Sequence, residues 1–337
     1  MNRAEVWRNR GGHFRWVPAG GGAAAVEVFH VELGDVDAPP VVLVHGFPTS
    51  SVDWFDVAQQ LSDRHRVCAL DFPGFGFSDK PLGWGYGLRR DAELLEHYVS
   101  EVLGLESMIM FAHDRGSSVA MIHATRVESQ VRLEHLFLSN ANLFLPLSNL
   151  TRAQLLMLDP ATGPALLAQA TPQQLAEGMG QTTYTPARGP DDPEVQALAT
   201  VFAHGGGLPV LHETIQYLVE RGNDETTWLD ALAAVDVPTT FLWGICDTVA
   251  PPRVVNHVWD AFMRRKPGRN SLYFIPEANH YVQNDRPDSV VEAFVHALTA
   301  ADDVPPGAIS SRPASPILVD RSRAELPRAA DVLHRAE

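Results

Sequence analysis

Cysteine is almost missing from this chain. Its two cysteines, Cys68 and Cys246, lie in opposite halves, which makes neither a disulfide framework nor a cysteine-based zinc site. No stretch of eighteen apolar residues exists, and Met1 to Gly11 carries several charges without an apolar run and a small-residue cleavage site. No membrane span and no secretory leader are therefore expected, and the expectation is a cytoplasmic protein with no membrane partner. Basic residues are also scarce, 26 against 41 acidic, for a formal charge of −15. The few that occur form no cluster able to neutralise a phosphate backbone, so nucleic-acid binding is excluded. A negative field of that size suits a neutral, apolar small molecule better than an anion.

What is present is ordinary globular material. Hydrophobic residues make up 45% and charged residues 20%, with seven Trp and fifteen Phe, far from the composition of disorder. At 337 residues, one α/β domain with an inserted or appended subdomain is the natural reading. The first third reads as a hairpin at 12–19 and 25–33, then a buried strand from Pro40 to His45. An amphipathic segment near 52–62, a strand at Arg66–Asp71, a helix at 88–104 and a strand at Ser107–His113 follow. This alternation builds a parallel sheet. A helix at 116–127 and a strand at Leu133–Ala141 close the first part of the core, 1–141.

From 142 to 225 apolar residues recur at helical spacing (Leu150, Leu155, Leu156; Ile215, Leu218, Val219) with no strand pattern, which predicts a helical cap. The second part of the core, 226–300, resumes with strands at Thr239–Gly244 and Leu272–Ile275 and helices near 253–264 and 287–299. The segment 301–337 holds five prolines and one short helical pattern near 323–335. It reads as a loosely attached Pro-rich extension.

The chemical signal is Phe111-Ala-His-Asp114-Arg-Gly116, where a predicted strand meets a predicted helix. A nucleophile elbow is so tight that its flanking positions need small side chains. Ala112 and Gly116 meet that need around Asp114, which puts a carboxylate where a serine hydrolase carries its serine. The rival register would use Ser118, between Gly116 and Ala120, but that position lies a full turn inside the helix; a merely structural Asp114 is the other alternative. An acid and then a histidine must follow, each after a later strand. Asp247 follows Thr239–Gly244, and His280 follows Leu272–Ile275. The loop His45-Gly-Phe-Pro48 offers the Phe47 N–H for an oxyanion hole, with the Arg115 N–H as its second donor, and Pro48 is a candidate cis residue.

These motifs, with Asp71-Phe-Pro-Gly-Phe-Gly-Phe-Ser-Asp79 and Asn279-His280-Tyr, resemble the α/β-hydrolase group of epoxide hydrolases and haloalkane and haloacid dehalogenases. The resemblance covers about 12–300 and is weakest over 145–205. Asp53-Trp54, Leu138-Ser-Asn140, Gln216-Tyr217 and Trp228-Leu-Asp-Ala231 resemble especially the branch of the mesoderm-specific transcript protein. The resemblance implies a mostly parallel eight-stranded sheet with helices on both faces, an inserted cap, and no metal or organic cofactor. It also implies a two-step hydrolysis: Asp114 forms an alkyl-enzyme ester, and a water activated by His280 and Asp247 cleaves it.

Epoxide opening to a diol is the leading expectation, with water and an apolar epoxide as partners and a monomer or homodimer as the assembly. The group's pair of cap tyrosines is half matched. Tyr217, about thirty residues before Asp247, occupies one place, and Tyr184 is the other cap tyrosine, at an unusual position. Trp54, Asn140 and Phe144 are expected in the substrate pocket, where Asn142 is a further candidate, and Arg115 either binds substrate or forms a salt bridge. Haloalkane or haloacid dehalogenation is the enzymatic alternative. It is disfavoured because Arg115 and Phe47 stand where a haloalkane dehalogenase holds halide with Trp and Asn, and because the second arginine and the His-Trp pair of fluoroacetate-type enzymes are missing. A non-catalytic receptor or interaction module is the alternative from another class.

Overall fold

Strand β3 (Pro40–Val44) and strand β5 (Ser107–His113) are nearly continuous runs of apolar residues, the pattern of strands covered on both faces. In the computed structural model, which describes residues 1–19, 24–126, 129–301 and 304–323, they lie side by side and parallel, with Val44 opposite Ala112. Alternate residues enter two separate cores. Val42, Val44, Met110 and Ala112 face one; Val41, Leu43, Ile109 and Phe111 face the other. The two-residue period of a strand thus builds both helix–sheet layers at once.

The remaining strands are β1 (Gly12–Trp16), β2 (Val26–Leu33), β4 (Arg66–Leu70), β6 (Arg132–Ser139), β7 (Thr239–Gly244), β8 (Ser271–Ile275), β9 (Gly307–Ala308) and β10 (Ile317–Arg321). Their order across the sheet is β1-β2-β4-β3-β5-β6-β7-β8-β10-β9. From β4 to β8 every pair is parallel, while β1, β2, β9 and β10 join antiparallel at the edges. The chain leaves β3 toward β4 and then returns to the other side of β3 as β5. That reversal opens a crevice at the carboxyl ends of β3 and β5, the place where such sheets bind ligands.

Six helices between Arg152 and Ala234 form the cap. Two of them start on full capping boxes, Thr151 with Gln154 and Thr171 with Gln174, which satisfy the free N–H groups of the first turn. Leu167, Ala176, Val195, Phe202 and Leu211 are buried in the same apolar cluster as the sheet's upper face, so cap and core share one interior. An N-terminal helix, Arg3–Arg10, which the sequence reading left unassigned, is tied to the cap through Arg3 and Glu194 at 2.9 Å.

Three expectations change. The sheet has ten strands among the described residues, not eight. The cap's end at 225 falls inside one helix, Tyr217–Ala234, because residues lining the site and residues returning to the core share its faces. The extension is not loose over 304–323: β10 pairs with β8, and Leu318 is buried. The pattern near 323–335 lies outside the described residues, apart from Arg323. No helix among the described residues is long and apolar enough to cross a membrane.

Candidate active site

Asp114 sits at the junction of β5 and the helix Arg115–Ala124 with φ +46° and ψ −122°, a conformation that side chains other than glycine adopt only under constraint. The constraint is visible. Its N–H donates to the Ser139 carbonyl at 3.0 Å and its carbonyl accepts from Ser117 N–H at 2.9 Å. The small neighbours are required by close packing. A Cβ on Gly116 would stand 2.4 Å from the His45 carbonyl oxygen, and one on Gly46 would stand 2.6 Å from Asp114 Cβ. The turn throws the carboxylate off the end of β5 toward the loop after β3, where Phe47 N–H donates to Oδ2 at 2.9 Å. Arg115 N–H also lies close enough to favour the charged carboxylate. The Phe47–Pro48 peptide is cis.

His280 follows β8 and places Nε2 3.8 Å from Asp114 Oδ1, too far for a direct hydrogen bond. Its Nδ1 lies 3.1 Å from Asp247 Oδ2. Asp247 is held from several sides: Val249 and Ala250 N–H donate to Oδ1 at 2.7 and 2.9 Å, and Asn140 Nδ2 donates to Oδ2 at 2.8 Å. Burial works against every charge here, and the neighbours decide the outcome. Burial raises Asp114 despite His280 and the two N–H groups. Burial is outweighed at Asp247 by His280 and the donated bonds, so that carboxyl is held below its ordinary range. It is outweighed at His280 by Asp247 and Asp114, which raise the imidazole. The result is a carboxylate fixed by N–H donors next to an imidazole fixed by a second carboxylate, an arrangement able to attack an electrophile and then activate water.

A cavity of about 350 Å³ lies above this constellation, between the helices Arg152–Leu158 and Pro172–Thr182 and the core loops. Its walls include Met157, Leu175 and Met179, and its floor Phe47, His280 and Tyr281. Asp114, 3% exposed, and Tyr217 are not part of that lining, whereas Phe47 and His280, which flank the carboxylate, are. Tyr217 begins the helix Tyr217–Ala234, with its ring 5.9 Å from that of Phe47 and 5.6 Å from the Arg115 guanidinium. Its buried hydroxyl has no hydrogen-bond partner in the protein. Burial, followed by the charge on Asp114, lifts that hydroxyl well above the ordinary tyrosine range.

Other expected residues lie elsewhere. Tyr184 is stacked on Tyr281 at 5.1 Å with Arg188 over its ring. Its hydroxyl is likewise buried without a partner, and the carboxylates that bear on it are those of Glu194 and Asp53 rather than Asp114. Trp54 packs on Phe111 in the opposite core and is not part of the cavity lining, because the turn Ser51–Trp54 carries it to the far face of the sheet. Phe144 packs against His257, 4.2 Å between rings, outside the cavity. Asn140 orients Asp247 instead of meeting a ligand. The Arg115 side chain forms a fully buried ion pair with Asp91. Burial pushes Asp91 up to about 6 even beside that cation. Ser118 sits inside the helix and accepts from Arg221 at 3.4 Å. The sequence reading missed Tyr281, whose hydroxyl donates to the Phe47 carbonyl at 3.2 Å and braces the loop after β3. Its place directly after His280 was the one available signal.

Among the described residues no group of three or more His, Cys, Asp or Glu is placed to hold a metal ion. The profile of the family described as alpha/beta hydrolase fold matches residues 39–287. The LipZ protein of Mycobacterium tuberculosis is 30% identical over 295 residues, 87% of this chain and 96% of its own. The mouse mesoderm-specific transcript protein is 28% identical over 86% of each chain, and haloalkane dehalogenase 2 of M. tuberculosis is 26% identical over 83% of this chain and 93% of its own. A solved structure described as one of a set of novel epoxide hydrolases from hot-environment metagenomes superposes with a TM-score of 0.65 at 19% identity, covering 86% of this chain and 99% of that one.

Proposed function

The chain belongs to the α/β-hydrolase fold family, and within that family we propose that it is an epoxide hydrolase in which Asp114 is the nucleophile, acting on an apolar epoxide without metal or organic cofactor. The observation that carries this reading is the buried, unpartnered Tyr217 hydroxyl beside a carboxylate that stands at the elbow. Carboxylate attack on carbon alone would need no such donor. Opening an epoxide does, because the ring oxygen departs as an alkoxide.

Asp114 Oδ1, the oxygen not engaged by Phe47 N–H, attacks an epoxide carbon. The C–O ring bond breaks, its electron pair goes to the ring oxygen, and that oxygen takes the Tyr217 proton. In the ester that results, Oδ2 is the carbonyl oxygen and already lies against the donors that an oxyanion there would need. His280, raised and aimed by Asp247, takes a proton from water as the hydroxide adds to the Asp114 carbonyl carbon. Collapse releases the diol with Oδ1, and the His280 proton and that of the new carboxyl restore the diol hydroxyl and Tyr217. Carboxylate is the nucleophile that makes this cycle close, since its ester can be hydrolysed and a serine ether could not.

Dehalogenation is the second reading, supported by the similarity to haloalkane dehalogenase 2. Against it, the Arg115 charge is already paired with Asp91 through Nη2, which weakens it as a clamp for a haloacid carboxylate although Nε and Nη1 have no partner in the protein. A single turnover of 1,2-epoxyoctane in heavy-oxygen water tests the proposal. The label is expected in the Asp114 peptide, with none in the first diol released, and His280→Gln should accumulate an adduct with the mass of the intact epoxide. Label entering the diol at once would exclude the covalent route. Halide release from haloalkanes with no diol formation would move the assignment to dehalogenation.

A further inference from the structure

The group's second tyrosine is missing from its usual place and Tyr184 lies elsewhere, yet a second unpartnered donor does stand beside Tyr217. Asn142, three residues past the end of β6, is 4% exposed, and neither its amide nitrogen nor its amide oxygen has a hydrogen-bond partner in the protein. A buried amide with nothing to bond is costly, about 1–3 kcal/mol for each unsatisfied group. Such a group is retained where something outside the protein completes it. The amide lies alongside the Tyr217 hydroxyl, near enough to favour its ionised form, while no hydrogen bond of proper length and angle joins the two. The two polar groups therefore lie side by side with no well-formed hydrogen bond between them.

Their placement is fixed by a third side chain. Arg221 is one helical turn after Tyr217 and thus on the same face of its helix. It is fully buried and donates to the carbonyl of Leu143, the residue next to Asn142, at 2.5 Å. One turn further along, Glu225 accepts from Leu145 N–H at 2.8 Å. The helix that carries Tyr217 and the loop that carries Asn142 are thereby locked in register, with Arg221 as the positioning residue.

We infer that the Asn142 side-chain amide is the second donor to the departing epoxide oxygen, taking the part that a second cap tyrosine would otherwise play. The inference rests on the epoxide-hydrolase reading of the site. Tyr217 gives up its proton to the alkoxide; Asn142 Nδ2 donates a hydrogen bond and keeps its proton, so it stabilises charge without changing the proton count. An amide cannot supply acid, which fixes the division of labour between the two.

The test is rapid-quench kinetics with 1,2-epoxyoctane, following the Asp114 adduct by mass through its formation and its decay in the full-length protein. Asn142→Ala and the near-isosteric Asn142→Leu should both slow adduct formation by about 100-fold, the loss typical of one preorganised donor, while adduct decay stays as in the wild type. Rate recovery in Asn142→Leu would make Asn142 a packing residue and overturn the inference. So would equal slowing of both steps together with a lowered melting temperature. If wild-type protein opens the epoxide and both variants match it, the inference alone fails. If wild-type protein forms no adduct, the reading beneath it fails as well.

Discussion

Asn140 is the residue whose replacement gives the sharpest reading of how this site is held. It is fully buried at φ +39°, a left-handed conformation that glycine and asparagine tolerate best. Its amide nitrogen donates to Asp247 Oδ2 at 2.8 Å, and its amide oxygen accepts from Gly244 N–H at 3.0 Å. Asn140→Ala removes a bond to a charged group, about 1.5–3 kcal/mol, and orphans the Gly244 N–H, about 1–3 kcal/mol. The left-handed backbone already bears on the asparagine Cβ, so alanine adds only the part of that cost, about 1–2 kcal/mol in full, which the asparagine amide relieves. The hydrogen-bond losses alone sum to about 2.5–6 kcal/mol, of which relaxation and water entry will recover part.

Asn140→Gly loses the same side-chain hydrogen bonds, but it is free at positive φ, and the greater freedom of its unfolded chain takes back only about 0.4–1 kcal/mol. Glycine should therefore be the milder substitution by about 1 kcal/mol, although it removes more of the side chain. Urea unfolding of the three proteins with a shared slope measures both differences. An alanine variant as stable as the glycine variant would refute the strain argument. An alanine variant within about 1 kcal/mol of wild type would refute the hydrogen-bond accounting.

Further outcomes follow from the site and from the far edge of the sheet. His280 must be neutral to take a proton from water, and in the free protein Asp247 and Asp114 hold its pKa above the ordinary 6.5 despite burial; in the ester Asp114 carries no charge and only Asp247 still raises it, so ester hydrolysis should rise with pH through a midpoint below that of His280 in the free protein. Asp247→Asn removes the largest raising influence and leaves burial in place, so the midpoint should fall; stopped-flow decay of the adduct across pH 5–9 reads the shift, and an unmoved or higher midpoint would contradict the assignment. The stability that a raised His280 contributes has the opposite profile, present below its unfolded pKa and lost as pH rises through the folded one. At the other edge of the sheet, Leu318 is buried and Asp320 meets Trp259 Nε1 at 3.1 Å and Arg264 at 3.2 Å. Leu318→Ala should cost about 2–5 kcal/mol by urea unfolding, and deletion from 304 onward should open the β8 edge and promote association in light scattering; full stability without this segment would show that β10 is dispensable.

The sequence determined most of what depends on local pattern. Runs of apolar residues marked β3 to β8 because strands covered on both faces need them. Small residues around Asp114 marked an elbow because no larger side chain clears the His45 carbonyl oxygen. The order Asp114, Asp247, His280 was legible because each follows a strand that ends at the same edge of the sheet. Tertiary structure decided whatever depends on which face a side chain takes. Trp54 and Phe144 had the composition of pocket residues, but the turn Ser51–Trp54 and the packing on His257 carried them away. Arg115 could have met substrate or a partner carboxylate, and only the fold brings Asp91 to it, 24 residues distant in the chain. Tyr217 stood at an expected place and Tyr184 at an unusual one, but only the cap helices decide that one stacks on Tyr281 and the other lies beside Asn142. Periodicity specifies elements, whereas the meeting of side chains remote in sequence is a property of packing.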